Sequence, residues 1–121
     1  MVEQTRGELY KLVDDPSISS CFTKEGPLTQ DEKAKLVFWL SAAMRQREYE
    51  WFQYEAENID KPIWEAYRGL IPVHLGTQRS LKWWQTIGST GFDPSFVAFV
   101  NQLLDEPAPR NFFEELEALP L

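Results

Sequence analysis

Between Thr29 and Trp64 the apolar positions recur with a helical period over a longer run than anywhere else in the chain. At about 100° per residue, Leu36, Leu40, Ala43, Met44, Trp51 and Tyr54 fall on one side, the stripe of a helix packed on a core. Phe38, Ala42, Tyr49, Phe52 and Ala56 fall on the other side. An element apolar on two faces predicts a central helix, covered by its neighbours or by a partner. Thr29 followed by Glu32 has the form of a capping box, so the helix begins near Gln30. No Gly or Pro interrupts it before Pro62. Asn58-Ile59-Asp60-Lys61-Pro62 then marks an end and a new start, with Asp60 as cap, Pro62 in the first turn and Ile59 placed to staple onto Trp64. The two helices form an antiparallel hairpin.

The flanking pattern predicts shorter helices. Residues 3–13 present Leu9, Leu12 and Val13 inward, and Asp15-Pro16 opens a short turn through Phe22 before the polar loop at 24–27. After Pro62 the apolar period runs through Trp64, Tyr67, Leu70, Ile71 and Leu75, past Gly69 and Pro72, which predicts a kinked helix. Thr77 caps a segment that turns Leu81, Trp84 and Ile87 inward, with Trp83 beside them. Asp93-Pro94 is the best-specified helix start, followed by the inward set Phe96, Phe99, Val100, Leu103 and Leu104. The prediction is an all-α bundle of about five helices over residues 1–106. Pro107-Ala108-Pro109 sets off an acidic amphipathic tail, 107–121, whose Phe112, Phe113, Leu116 and Leu119 are a candidate partner-binding face.

Composition narrows the function. The net charge is −7, and residues 101–121 hold five acidic side chains and one arginine, so −4 of it lies in the tail and −3 in the first hundred residues. No basic stripe is present for phosphates, which argues against nucleic-acid binding. The longest apolar run, Leu36–Leu40, is far short of a membrane span. The expectation is a soluble chain with no span of its own, and neither metal nor cofactor. Cys21 is the single cysteine and has no neighbouring base, which predicts a buried, inert thiol.

No catalytic pattern emerges. His74 is the lone histidine and no GxSxG elbow accompanies it; there is no GxxxxGK[ST] loop, no GxGxxG turn and no Glu-x-x-His pair for a di-metal bundle. Glu48 with Glu55, and Glu50 with Glu57, lie two turns apart and are expected to be solvated helix charges. Arg47 and Glu48 stand out because they fall on or beside the apolar stripe, where charge must be paired or must snorkel to water. Arg47, Glu48 and Gln53 are therefore a candidate polar binding cluster. Trp51, Trp83 and Trp84 are a candidate aromatic surface, since the aromatic content of 14% exceeds what one small core needs.

The stretches MRQREYEWFQYEAENIDKPIW, KWW and GFDPSFVAFVNQLL resemble, in order and spacing, a group of uncharacterised bacterial helical proteins. Their pattern runs F-x-x-Y-E-x-x-x-x-Q, a helix-ending glycine, (I/L)-D-x-x-x-W, a WW pair and F-S-P-x-F-x-x-Y-V. Glu48, Gln53, Asp60, Trp64, Trp83, Trp84, Phe92, Pro94, Phe96 and Val100 match it across residues 36–104. Arg47 stands where the pattern has an aromatic, and Glu57 where it has the glycine. The resemblance implies one or two transmembrane segments preceding this region in a longer protein, and carries no enzymatic activity. Together these readings favour a non-enzymatic helical interaction domain that binds a protein partner, membrane-tethered in such a setting. The alternatives are a binder of small apolar ligands or lipids between the central helix and the Trp83/Trp84 helix, and an acidic inhibitor of a nucleic-acid-binding protein.

Overall fold

The computed structural model describes residues 16–106 and 118–120, and every regular element among them is helical. Helix α1 spans Pro16–Thr23, α2 Gln30–Glu55, α3 Lys61–Arg68, α4 Leu70–His74, α5 Gln78–Thr86 and α6 Pro94–Leu104, with a 3₁₀ turn at Gly88–Gly91 before α6. The arrangement is all-α and centred on α2, the 26-residue helix on which α1, α3 and α4 all pack. Helix α6 in turn packs on α4. The helix expected over 3–13 and the tail residues 107–117 lie outside the described residues.

The ends of α2 follow from local chemistry. Glu32 N–H donates to Thr29 Oγ1 at 3.2 Å and Thr29 N–H donates to Glu32 Oε1 at 2.9 Å, the predicted capping box. Lys24 adds a third contact to Glu32 at 2.8 Å, and these bonds hold the Glu32 carboxyl down to a pKa of about 2. At the other end Glu57 N–H donates to Tyr54 O and Asn58 N–H to Gln53 O, both at 2.9 Å. That pair of bonds is a Schellman closure, and it places Glu57 at φ 62°, in the left-handed region. Glycine is the residue that adopts this conformation without strain.

Three local expectations change. Asp60 precedes α3 but its side chain makes no capping bond. The kinked helix through Pro72 is instead two helices divided at Gly69. With α4 starting at Leu70, Pro72 falls in a first turn, where its missing N–H has no helical partner to lose. Ile87 was expected inward, yet it ends α5 with its side chain exposed.

The core joins Leu36, Leu40, Ala43 and Met44 of α2 to Ile18, Cys21 and Phe22 of α1, Ile71 and Leu75, and Phe96 and Val100 of α6. Trp84 is fully enclosed, its ring against Phe92 at 5.4 Å and its Nε1–H donating to Asn101 Oδ1 at 3.0 Å. Trp83 is also buried and lies so close to Gly88 that a β-carbon there would meet the indole at 2.6 Å. Burial of this much aromatic area is the main stabilising contribution available to so small a bundle.

Candidate functional site

Two features of α2 are candidates, one sealed and one open. The sealed one surrounds Arg47, whose side chain is 0% exposed. Its Nε donates to Glu50 Oε1 at 2.5 Å and its Nη2 to Glu50 Oε2 at 3.1 Å, a two-pronged pairing one turn apart on the same helix. Gln46 Nε2 reaches Glu50 Oε2 at 3.4 Å. Arg47 Nη1 lies 3.1 Å from His74 Nε2, brought in from α4, and the guanidinium lies 6.0 Å from the Tyr67 ring centre. Arginine has no acceptor, so His74 Nε2 must supply the lone pair and its proton resides on Nδ1. Burial, reinforced by the Arg47 charge, lowers the His74 pKa to about 3. Among the described residues His74 Nδ1 and the neighbouring Trp39 Nε1 find no hydrogen-bond partner, although the two rings touch edge to face at 5.3 Å.

This geometry corrects several expectations. Arg47 does not snorkel; it is neutralised in place, because Glu50 and His74 supply acceptors that water would otherwise provide. Glu50 is a fully buried counter-ion rather than a solvated helix charge. Glu48 is buried as well and faces elsewhere: Oε1 takes Arg45 Nη1 at 2.6 Å and Oε2 accepts the Asp93 amide at 2.8 Å. Gln53 Oε1 accepts from Asn58 Nδ2 at 2.9 Å. The structure therefore does not gather Arg47, Glu48 and Gln53 into one cluster. His74 offers no free lone pair for base catalysis. Among the described residues no group of three or more His, Cys, Asp or Glu side chains is placed to hold a metal ion.

The open feature is the second face of α2. Phe38 is 77% exposed, Tyr49 51% and Phe52 43%, and Ala42 between them is exposed too. Of the tryptophans expected at a surface, Trp83 and Trp84 are buried, and Trp51 is half-buried against Phe96 and Phe99 with ring centres 5.9 and 6.2 Å away. They are internal because α5 is held down by Gly88 on one side and by Phe92 and Phe96 on the other, so both adjacent rings find cover. The exposed aromatic surface is instead Phe38, Tyr49 and Phe52. Of the tail positions, Leu119 is described and exposed, while Phe112, Phe113 and Leu116 lie outside the described residues.

Comparison with protein-family models, curated proteins and solved structures gives no match to this chain. Among the described residues no helix is long and apolar enough to cross a membrane. Sequence reasoning missed Glu50 and His74 for different reasons. Glu50 carried a usable signal, since an acid three residues after an arginine on a helix can pair with it. His74 lies 27 positions from Arg47 and no local pattern joins them.

Proposed function

We propose that this chain is a helical protein-interaction domain whose binding surface is the exposed aromatic face of α2. The observation that carries the reading is the co-alignment of Phe38, Tyr49 and Phe52, exposed on the helix whose opposite face forms the core. Scattered apolar residues on a surface need no explanation, whereas large rings aligned on one face of one helix support a binding surface. The charged cluster inside the bundle serves architecture. Arg47 pairs with Glu50 on its own helix and with His74 Nε2 across the fold, which holds α4 against α2, and no substrate contact is assigned to them. The likeness to helical regions that follow membrane segments supports placing the module beside a bilayer in a longer protein, with its aromatic face turned to a neighbouring polypeptide.

A photo-crosslinking side chain introduced at Phe38 or Tyr49 tests the assignment in cells. Discrete protein adducts are expected from both positions, fewer when Phe52→Glu is added, and none from the exposed control position Ile87. Equal labelling from position 87, or no adduct from 38 and 49, would remove the reading.

A further inference from the structure

We propose that the end of α4 and the first half of α2 hold a binding site for one small lone-pair acceptor, a halide ion or a water oxygen, gripped between the Nδ1–H of His74 and the Nε1–H of Trp39. Both side chains are more than nine-tenths buried, at 7% and 8% exposure, and their rings meet at 78° with centres 5.3 Å apart. Among the described residues neither nitrogen has a hydrogen-bond partner. A buried donor without an acceptor has given up its water for nothing, so two of them on touching rings mark a place where the polar groups of the fold need one more partner.

The donor set defines the ligand. Indole is a donor only, and His74 commits its single lone pair, at Nε2, to Arg47 Nη1 3.1 Å away. These two nitrogens therefore have no lone pair for a metal ion and no acceptor for a ligand O–H or N–H. What fits them is an atom that accepts twice. The imidazole is primed to donate, because a charge-assisted bond from the guanidinium at one nitrogen draws density from the ring and strengthens the N–H at the other. The ligand thereby completes a chain that starts at Glu50, passes through Arg47 and His74 and ends on Trp39. Trp39 is held in place for this, since Phe22 of α1 packs against the indole with centres 5.4 Å apart and the two planes at 90°. Each nitrogen reaches about 3 Å along its N–H, one hydrogen-bond length, so a single atom serves both rings where a carboxylate or phosphate group is too large. Arg47 and Glu50 balance each other, so the site itself demands neither a neutral nor an anionic acceptor, and water and halide share its chemistry. Because His74 is the last residue of α4, the ligand adds a second tie between α4 and α2 beside the Arg47–His74 bond.

Heteronuclear NMR of the full chain at neutral pH reads both N–H groups directly. The His74 ring should show the Nδ1–H tautomer, and its proton and the Trp39 indole proton should both lie downfield and exchange slowly with bulk water. Sodium bromide titrated against sodium gluconate at constant ionic strength separates the two sources. If halide is the ligand, both protons shift together and saturate with one dissociation constant, which Trp39→Phe raises about tenfold or more at the His74 proton. If water is the ligand, both protons ignore bromide and show cross-peaks to the same long-lived water, and Trp39→Phe removes the cross-peak at His74. A response at one proton only, an indole proton shielded by lying over the face of the His74 ring, or two downfield protons with neither bromide response nor water cross-peak overturns the proposal. The spectra of the parent chain report these outcomes even where Trp39→Phe does not fold.

Discussion

Arg47 and His74 together illustrate how a charge is kept inside a small hydrophobic domain. Moving a guanidinium out of water costs several kcal/mol in principle, which the two-pronged carboxylate of Glu50 and the acceptor nitrogen of His74 offset. His74 contributes one such acceptor as a neutral ring, and its low pKa has a consequence for acid stability. The unfolded chain takes up this proton near the ordinary value of 6.5, whereas the folded chain resists it to about 3. Stability should therefore be fully present above pH 6.5 and fall as pH drops through that window, by up to about 5 kcal/mol from this group. Urea midpoints between pH 7 and pH 5 should show the slope in the parent chain and lose most of it in His74→Gln, which keeps an acceptor but does not titrate. Glu32 enters only below its ordinary value of 4.5, its contribution disappearing as pH falls toward about 2, so the upper part of the window isolates the histidine. Arg47 was conspicuous in the sequence as a charge in an apolar stripe. Its partners were not, since burial of Glu50 depends on what covers that turn and His74 arrives through the tertiary fold.

At the scale of elements, starts and stops were legible wherever side chains bond to nearby backbone. Thr29 with Glu32 and Asp93 with Pro94 fixed two helix starts, Asp93 Oδ1 accepting from the Ser95 amide at 2.9 Å. The division at Gly69 was not legible, because the apolar period continues across it and only the position of Pro72 within a first turn distinguishes two helices from one bent helix. The end of α2 is the informative case. The resemblance places a glycine at position 57, the structure puts Glu57 at φ 62°, and the Schellman bonds form nonetheless. A side chain in this conformation costs about 1 kcal/mol relative to glycine. Glu57→Gly should therefore raise the thermal midpoint by a few degrees, corresponding to about 1 kcal/mol, and the gain should appear in differential scanning calorimetry without a change in helix content. A loss of stability would show that the Glu57 side chain makes a compensating contact.

For the whole molecule, the long helix is a rod whose two faces have different roles, and the sequence showed both faces without saying which would remain open. Periodicity reports that a face is apolar; it does not report how many neighbours the chain can fold back to cover it. The far end of the bundle is tied to that rod by Glu48, which joins Arg45 on its own helix to the Asp93 amide at the entrance to α6, 45 positions away. Glu48→Ala leaves a partly buried amide and an arginine without their acceptor, and should lower stability by about 2 kcal/mol, with Glu48→Gln costing roughly half as much. Hydrogen exchange at Asp93 and through the first turn of α6 should accelerate more than at the start of α2; uniform acceleration would mean that the tie is not local. The bare α-carbon at Gly88 adds a constraint of another kind. Because the Trp83 indole rests directly on main chain at that corner, extra atoms at Gly88 would force the buried ring or the backbone to move. Lengthening the chain should be tolerated in the polar loop before α2, where the backbone runs over solvent, and refused at this corner, making it the natural yardstick by which distant relatives of the fold could be aligned.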